Sequence, residues 1–483
     1  MDKCSTKVIL FYKYATLTED GSLMKKYRDD THKLCQHLNL FGRILLGLSR
    51  NEGINGTLSG KHEDLIAYTI AMLGRDYYAA EESSKRELPV SSERLEAIHA
   101  FWDASESFAQ RANILVLTMD SPEDFKWSDA QRVAPVFPDL NVKVVKEIIS
   151  TGGVLSSITL SETNQGYLTP EEFHQEVNNY IQNRDVDAAE DDDTIVIDCR
   201  NHKEFQIGHF AGALDPNTKT FEQFPKWVKD HKSDLDGKKV LMYCTGGIRC
   251  EKASAYVRKQ TNASAVYHLR GGIHKYLEKY GSDGLFQGKN FVFDRRGADE
   301  PLPKVSSTDA DFNNSSCHAN SIIVGKCLFC DSCWDTYTGD SVCTVCHESL
   351  LVCHTCRNDR KEYHCADHFY LKDCYFTNLT VFSSQGLTNQ LLELEQHLEK
   401  IAVGKKYKQR RRTIMKQIHR VNSTLQERRD GNDTSGQPLE TKKLCRSCGS
   451  ESCDGECWGF HGLRRKERMD EGNHFSKQIV PVK

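Results

Sequence analysis

The segment 239–254, with the sequence KVLMYCTGGIRCEKAS, decides the fold of the central part of this chain. The apolar run before Cys244 predicts a short buried strand of a parallel sheet. Gly246 and Gly247 permit a tight loop, and residues 251–260 predict a helix. A buried strand, a glycine loop and a helix in this order indicate an α/β domain, in which reactive groups collect at the carboxyl ends of the strands.

Cys244 stands at such a strand end and is the expected nucleophile. A thiol there faces loop N–H groups and the positive end of a helix dipole, which stabilise a thiolate or a persulfide anion. Arg249 closes the loop and adds a permanent positive charge. A lone cysteine at a strand end is often only a small buried apolar residue, but these neighbours favour catalysis. The predicted active-site loop consists of Thr245, Gly246, Gly247, Ile248, Arg249 and Cys250.

Other residues near the loop admit two interpretations. Asp198 and Arg200 stand at the carboxyl end of the predicted strand that begins at Thr194. As supporting residues they either tune the thiolate or, as we favour, form an internal ion pair that fixes the loops. Cys250 either resolves a Cys244 persulfide into a disulfide or packs in the core, and we favour packing. His209 and His274 are expected to be structural.

The chain on both sides extends the prediction to several domains. Alternating strands and helices mark residues 168–298 as one α/β domain. Residues 1–160 have the order βαββα, with an Asn55-Gly56 turn between the second and third strands and further strands at 113–118 and 142–149. This order predicts a ferredoxin-like (acylphosphatase-like) α+β domain with an insertion at 76–110. The fold class is thus α/β and α+β multidomain, with a cysteine-rich tail.

The central domain resembles the rhodanese family. The resemblance rests on the Cys-x4-Arg loop, on 198–200 (DCR), on 204–213 (EFQIGHFAGA) and on 269–273 (LRGGI). It implies a persulfide at Cys244 as the sulfur-carrying intermediate. A cysteine-dependent phosphatase has five residues between Cys and Arg, so the four found here favour sulfur over phosphate.

Residues 7–300 resemble a narrower family, the bacterial tRNA uridine hydroxylases. This resemblance rests on the Cys244 loop, on the segment 288–296 (GKNFVFDRR) and on the segment 51–60 (NEGINGTLSG). It implies oxygen-dependent formation of 5-hydroxyuridine at the tRNA wobble position, with tRNA as partner. The whole chain is also similar to animal proteins of the thiosulfate sulfurtransferase/rhodanese-like type, which implies a sulfur donor such as thiosulfate or a persulfide.

The distribution of the 19 cysteines predicts metal sites. Five lie in the first 310 residues and fourteen in the rest, many in C-x-x-C steps. The N-terminus has no pattern of a secretory signal and no run of 18 apolar residues occurs, so we expect no membrane span, a cytoplasmic or nuclear location and zinc rather than disulfides.

Two cysteine-rich regions should hold two to three structural zinc ions. In region 317–375 the candidate ligands are Cys327, Cys330, Cys333, Cys343, Cys346, Cys353, Cys356, Cys365 and His368. One site combines Cys353 and Cys356 with a second pair, which is either Cys330 and Cys333 or Cys327 and Cys330. The other site combines Cys343 and Cys346 with Cys365 and His368 in a cross-brace. Region 440–462 offers a second, compact site formed by Cys445, Cys448, Cys453 and Cys457.

Between these regions, residues 387–430 predict a helix with a basic centre at 405–412. Its charge fits a solvated helix face, a nuclear localisation signal or a surface for RNA phosphates. The sequence thus leaves three functions open: a Cys244-dependent tRNA-modifying enzyme, a sulfurtransferase or persulfide carrier, and a zinc-dependent adaptor with a rhodanese fold. It gives no oligomeric state.

Overall fold

The computed structural model describes residues 6–84, 90–130, 136–184, 193–299, 323–360 and 362–430. These residues divide between Val324 and Gly325 into two compact units. The first unit contains the N-terminal sheet domain and the central α/β domain, and the second contains the first cysteine-rich region and the basic segment. The mixed α/β multidomain architecture predicted from the sequence is confirmed.

The N-terminal domain is built on a five-stranded sheet with the order β4-β1-β3-β2-β5. Strand β3 pairs antiparallel with both β1 and β2, and β5 is added parallel to β2. The first four strands have the order of a ferredoxin-like fold. The elements are β1 (Thr6–Lys13), α1 (Gly21–His37), β2 (Phe41–Gly47), β3 (Ile54–Lys61), α2 (His62–Leu73), α3 (Arg75–Ser83), α4 (Ser92–Ala112), β4 (Lys126–Asp129) and β5 (Leu140–Val145).

The Asn55-Gly56 pair does not form the predicted turn, because it lies inside β3. The glycine is needed there for packing: a Cβ on Gly56 would come within 2.3 Å of the ring of Phe11 in β1. The chain instead turns between β2 and β3, where Asn51 and Gly53 adopt the positive φ angles of 60° and 78°. The predicted turn was therefore misplaced by a few residues.

The predicted strand at 113–118 is also wrong. Asn113 is the left-handed residue that ends α4, with a φ of 53°, and no strand follows it before β4. Residues 76–110 contain most of α3 and most of α4, and α4 contributes to the domain core. Its Trp102 donates from Nε1 to the carbonyl of Ala71 at 2.9 Å, and Phe108 stacks on Tyr27 at 4.8 Å.

The central domain contains a parallel sheet with the order β6-β10-β9-β7. The predicted strands at 194, 239 and 265 and the helix at 272–280 are present. The elements are α5 (Leu160–Thr163), β6 (Tyr167–Leu168), α6 (Pro170–Arg184), β7 (Thr194–Asp198), α7 (His202–Phe205), β8 (Gly208–Phe210), α8 (Phe224–Asp230), α9 (Lys232–Leu235), β9 (Lys239–Tyr243), α10 (Ile248–Gln260), β10 (Ala265–Leu269), α11 (Gly272–Tyr280), β11 (Phe286–Gly288), β12 (Asn290–Phe291) and β13 (Ala298–Asp299).

The start of α6 shows how local sequence sets an element boundary. Thr169 precedes Pro170, and its hydroxyl accepts from the N–H of Glu172 at 3.2 Å. The Glu172 carboxylate in turn accepts from the N–H of Thr169 at 2.8 Å. This reciprocal pair satisfies two N–H groups that the helix cannot bond itself, so the helix begins where the sequence predicted.

The second unit contains a small hairpin, a short helix and two long helices. They are β14 (Tyr337–Val342), β15 (Ser349–Leu351), α12 (His354–Asp359), α13 (Ser384–Lys400) and α14 (Lys408–Arg429). The prediction of a single helix over 387–430 is wrong, because α13 ends at Lys400 and the next long helix begins only at Lys408. Leu387 and Leu394 of α13 and Ile414 and Val421 of α14 share one apolar cluster, and burying these side chains against one another stabilises the pair of helices.

Candidate active site and metal centres

The loop from Cys244 to Gly247 connects β9 to α10 and holds the Cys244 sulfur. The N–H of Gly247 donates to Cys244 Sγ at 3.2 Å. Gly247 has a φ of 100°, a conformation that favours glycine. The loop thus directs a backbone donor at the sulfur immediately before the helix begins at Ile248.

The surroundings of Cys244 favour its thiolate. Burial alone raises the pKa of this fully buried thiol, but several interactions outweigh it and bring the pKa down to about 6. The largest of these is a hydrogen bond from the Cys250 side chain, followed by the charge of Arg249 and the N–H groups of residues 250 and 249. Near neutral pH the sulfur is therefore mainly ionised.

Glu204 fixes Arg249 in the loop. The two guanidinium N–H groups donate to the Glu204 carboxylate at 2.8 and 2.7 Å, and one also donates to the Thr245 hydroxyl at 3.0 Å. Glu204 is fully buried, and although burial raises its pKa, Arg249 lowers it to about 2. Glu204 was missed as a site residue, although it begins the 204–213 segment, because no local spacing ties it to the loop.

The first turn of α11 supports the other side of the loop. The N–H groups of Ile273 and His274 donate to the carbonyls of Cys244 and Thr245 at 3.0 and 3.1 Å. Gly272 lies so close to the loop that a Cβ there would come within 2.5 Å of the Cys244 carbonyl oxygen. The 269–273 segment therefore contacts the cysteine loop directly.

Strand β1 of the N-terminal domain covers the loop. A Cβ on Gly246 would come within 2.4 Å of Leu10, and one on Gly247 within 2.6 Å of the Tyr12 hydroxyl. The Tyr14 hydroxyl donates to the carbonyl of Ile248 at 3.0 Å. The site is thus shared by two domains, which the sequence did not predict.

A buried group of titratable side chains lies at this junction. The Tyr12 hydroxyl donates to Glu251 at 2.8 Å, and Lys126 Nζ lies 4.4 Å from the centroid of the Tyr12 ring. Burial raises the pKa of Glu251 to about 7, although Tyr12 and Tyr167 counteract it by hydrogen bonding. Burial also lowers the pKa of Lys126 to about 8. Both groups can therefore exchange protons near neutral pH.

The supporting residues form an internal ion pair. Arg200 donates to the Asp198 carboxylate at 2.7 Å and to the carbonyl of Gly208 at 2.5 Å, and both ionic side chains are fully buried.

His209 Nδ1 lies 2.9 Å from the carbonyl oxygen of Phe205. Burial lowers the pKa of His274 to about 3, so its ring is neutral.

The second unit brings eight of the predicted metal ligands into two groups. Within each group the ligand atoms lie within 4.8 Å of one another. Cys330 and Cys353 sulfurs are 3.6 Å apart, and Cys346 and Cys365 sulfurs are 3.7 Å apart. Two sulfurs on one tetrahedral zinc ion are about 3.8 Å apart, given zinc–sulfur distances near 2.3 Å. The groups that could hold metal ions are Cys327, Cys330, Cys353 and Cys356, and Cys343, Cys346, Cys365 and His368.

The two groups interleave along the chain, as in the cross-brace that the sequence allowed. Of the two pairings left open for the first group, the structure has Cys327 with Cys330. Cys333 lies outside both groups and is exposed, and His364 Nε2 lies 3.0 Å from the carbonyl oxygen of Tyr375. The second predicted cluster lies outside the described residues; it comprises Cys445, Cys448, Cys453 and Cys457.

Part of the basic charge of α14 has a structural use. Arg411 donates to the carbonyls of Leu398 and Ile401 at 3.0 and 2.8 Å and so caps the end of α13. Lys408, Arg412 and Lys416, by contrast, are exposed at intervals of four residues, which places them on one face of α14.

In the described part of the chain, no helix is both long and apolar enough to cross a membrane.

Three family descriptions match successive parts of the chain. Residues 6–148 match the UPF0176 acylphosphatase like domain, 181–279 the rhodanese-like domain and 287–369 the rhodanase C-terminal region. The third match includes all eight residues of the two possible metal groups.

Several relatives share the first two parts. The tRNA uridine(34) hydroxylase of Staphylococcus carnosus (strain TM300) is 34% identical over 291 residues, which cover 60% of this chain and 71% of the relative. The protein of the same name from Onion yellows phytoplasma (strain OY-M) is 32% identical over 290 residues, 60% of this chain and 73% of the relative. Rhodanese-like domain-containing protein 6 of Arabidopsis thaliana is 29% identical over 359 residues, 72% of this chain and 50% of the relative.

These matches agree with the geometry of the Cys244 loop and with the order of the domains. They identify a rhodanese-type enzyme, with its specific reaction left open. The chain belongs to the family that joins a UPF0176 acylphosphatase-like domain to a rhodanese-like domain and that includes the tRNA uridine(34) hydroxylases.

Proposed function

We propose that this enzyme modifies the wobble uridine of tRNA, forming 5-hydroxyuridine, and that Cys244 is its catalytic residue. The observation that carries the proposal is the Cys244 sulfur, which accepts the Gly247 N–H and has a pKa of about 6. Relatives of more than 30% identity that are named tRNA uridine(34) hydroxylase supply the substrate class. A cytoplasmic location fits a tRNA substrate.

The loop geometry supports a reactive sulfur at this position. The N–H groups and the Arg249 charge that stabilise a thiolate would also stabilise the terminal sulfur of a persulfide, which is likewise an anion. Glu204 holds Arg249 in place by two hydrogen bonds, so the positive charge stays at the loop through a catalytic cycle. Asp198 and Arg200 support the neighbouring strand end as an ion pair.

The junction with the N-terminal domain supports a role for that domain in catalysis. Tyr12, Lys126 and Glu251 form a buried polar group that contacts the loop through Gly247. The base of a uridine presents one N–H group and two carbonyl oxygens, which such donors and acceptors can bind. We propose that Glu251 and Lys126 exchange protons with the base while Cys244 reacts.

We further propose that the two groups of the second unit hold zinc in a structural role. Seven thiols and one imidazole are ligands that zinc prefers, and the sulfur–sulfur distances match a tetrahedral ion. Each group supplies four protein ligands, so neither leaves a position for substrate. Bound zinc would stabilise the fold of this unit, and no chemical step is assigned to it.

The exposed face of α14 supplies a surface for RNA. Lys408, Arg412 and Lys416 present three positive charges within about three helical turns, a spacing that suits an RNA backbone. Arg411 is excluded from this surface because its guanidinium caps α13. We therefore propose that these three residues, and not the whole 405–412 segment, bind tRNA phosphates.

Nucleoside analysis of tRNA tests the function. Cells that lack the protein are complemented with the wild type, with Cys244→Ala or with Cys333→Ser, and their tRNA is digested and analysed by mass spectrometry. We expect 5-hydroxyuridine derivatives to disappear without the protein and to return with the wild type and Cys333→Ser only. Full modification in cells that carry Cys244→Ala would overturn the proposal.

A second candidate, sulfur transfer from thiosulfate or a persulfide, is favoured by the four-residue spacing between Cys244 and Arg249. Under this alternative, tRNA nucleosides stay unchanged while thiosulfate:cyanide activity depends on Cys244. A third candidate, a zinc-dependent adaptor, would show neither dependence and would instead lose partner binding when the metal groups are disrupted. The nucleoside and sulfurtransferase assays together distinguish the three.

A further inference from the structure

A short hairpin that follows the central sheet holds an aromatic side chain at the surface. The hairpin pairs β12 with β13, and Phe293 lies in the turn between them with 42% of its surface exposed. Among residues 286–299, all of which the structure describes, Phe293 is the only exposed large apolar side chain, whereas Phe291 and Val292 are buried. The apolar surface of this hairpin is therefore about the size of one aromatic ring.

Buried polar contacts fix the backbone that carries Phe293. Arg296 donates from Nε to Asp294 at 2.9 Å and from Nη1 to Asp299 at 2.8 Å, and the Arg296 and Asp294 side chains are almost fully buried. The N–H of Gly297 donates to the carbonyl of Asp294 at 3.0 Å and closes the turn. A ring presented on a backbone fixed in this way loses little conformational freedom when it binds a ligand.

Lys203 of α7 brings a positive charge to the exposed ring. Its Nζ lies 5.0 Å from the centroid of the Phe291 ring and 5.5 Å from that of the Phe293 ring. The two rings meet edge to face with their centroids 5.0 Å apart. An ammonium group is attracted to the face of an aromatic ring, so these three side chains form one unit. We call Lys203, Phe291 and Phe293 the Phe293 platform.

The Phe293 platform adjoins two elements that contact the Cys244 loop. Lys203 directly precedes Glu204, whose carboxylate holds Arg249 in the loop by two hydrogen bonds. On the other side of the hairpin, Arg296 donates to the Ser128 hydroxyl in β4 at 2.8 Å. Strand β4 pairs with β1, the strand that covers the loop. The platform is therefore connected to the active-site loop through both domains.

The size and the charge of the platform suit one unpaired nucleobase. A stable protein interface buries roughly 800 Å² on each partner, far more than a single ring whose neighbours Val292 and Asp294 are buried. A base offers a flat face of matching size to a ring, and its phosphate offers a negative charge to Lys203. A base that reacts in an RNA must leave the stack, which also unstacks its neighbours.

We propose that the Phe293 platform stacks on an unpaired base of the tRNA anticodon loop, next to the wobble uridine, and so holds the loop while the uridine reacts at Cys244. This inference rests on the proposed function and goes beyond it, because it assigns a nucleotide-binding surface outside the Cys244 loop. Phe293 binds the substrate and takes no part in the chemical step. The stacking tolerates any base, because every base has an aromatic face.

A photocrosslinking base tests this contact. The full chain is mixed with an RNA stem-loop that contains the anticodon loop, with an unmodified wobble uridine and with 5-iodouridine at one neighbouring loop position at a time. Irradiation links 5-iodouridine to an aromatic side chain that stacks on it. The variants are Phe293→Ala, Phe293→Tyr and Lys203→Gln. The matched control is Phe41→Ala, because Phe41 is equally exposed, at 43%, and lies at the start of β2.

We expect one of the labelled RNAs to be linked to Phe293, in the tryptic peptide NFVFDR. Phe293→Ala should lose this link and bind the RNA about tenfold more weakly, with an unchanged slope of log affinity against log salt, because stacking neutralises no phosphate. Lys203→Gln should keep the link and reduce that slope by about 1. Phe293→Tyr and Phe41→Ala should bind as the wild type does. Fluorescence anisotropy measures the affinities, and circular dichroism checks the folding of each variant.

Wild-type affinity in Phe293→Ala, together with no link to Phe293 in the wild type, would overturn the inference and leave the proposed function intact. An equal loss of affinity in Phe293→Tyr and Phe293→Ala would also overturn it, because tyrosine keeps the aromatic face. A link to Phe293 that disappears in Phe293→Ala, in a protein whose tRNA modification does not require Cys244, would support the platform and overturn the proposed function alone. Failure of the wild type to bind the RNA would overturn the platform and remove the support for a tRNA substrate.

Discussion

The Tyr12 hydroxyl in β1 donates a 2.8 Å hydrogen bond to Glu251, in the helix that follows the Cys244 loop, although 239 positions separate them. The contact joins the acylphosphatase-like domain to the rhodanese-like domain beside the Cys244 loop. A second buried contact, the ion pair between Lys252 and Glu52, reinforces it. The N-terminal domain therefore forms part of the surroundings of Cys244.

Tyr12→Phe should move the pH dependence of activity upward. The lost hydrogen bond stabilises the Glu251 carboxylate, so the pKa of Glu251 should rise above about 7 in the variant. The matched control is Tyr14→Phe, since the Tyr14 hydroxyl bonds to the Ile248 carbonyl and leaves the Glu251 hydrogen bond intact. Single-turnover rates from pH 5 to 9 measure the midpoint, and identical profiles for the two variants would show that Tyr12 has no such role.

Arg249→Gln should raise the pKa of Cys244 from about 6 toward the ordinary value for a thiol, about 8.5. The guanidinium charge favours the thiolate, so its loss shifts ionisation to higher pH. Arg249→Lys retains the charge and should shift the pKa less. Alkylation rates of Cys244 in the folded protein, measured by mass spectrometry at several pH values, give both midpoints. An unchanged midpoint in Arg249→Gln would show that the Arg249 charge does not stabilise the thiolate.

Glu204→Gln should destabilise the protein by about 3–5 kcal/mol, because it leaves the buried Arg249 charge without its partner. The control is Asp230→Asn, which removes an exposed ion pair with Lys226 and should cost less than about 1 kcal/mol. Denaturant unfolding followed by circular dichroism measures both free energies. Equal effects of the two substitutions would show that the buried pair does not stabilise the loop.

Cys356→Ser should remove one metal ion from each chain, and Cys333→Ser should remove none. Both residues lie in the same cysteine-rich segment, but only Cys356 belongs to a group with four ligand atoms. Metal analysis of the purified full chain by mass spectrometry gives the stoichiometry and identifies the ion. Retention of all metal by Cys356→Ser, or loss of metal by Cys333→Ser, would refute the proposed ligand sets.

Charge reversal at Lys408, Arg412 and Lys416 should weaken tRNA binding by about tenfold or more and reduce the slope of log affinity against log salt by about 2. The control reverses Lys25, Lys26 and Lys229, which are also exposed, and makes the same change in net charge. Fluorescence anisotropy with labelled tRNA at several salt concentrations measures both quantities. Equal losses in the two triple variants would indicate a general charge effect instead.

The sequence by itself determined the features that depend on neighbours along the chain. The apolar run before Cys244, the glycines after it and Arg249 specify strand, loop and helix, because these residues act within a few positions of one another. In the same way, Thr169 and Glu172 set the start of α6, and the C-x-x-C steps identified the segments that could hold metal ions.

Only the tertiary structure decided which distant residues meet. Glu204 pairs with Arg249, Tyr12 with Glu251 and Lys252 with Glu52, and none of these contacts has a fixed spacing in the sequence. The Asn55-Gly56 error has the same origin: the ring of Phe11, from another strand, requires a glycine at position 56. Local patterns specify elements, whereas side-chain contacts across a core depend on how the elements pack, and at Cys244 that packing sets the charge and the partners of the sulfur.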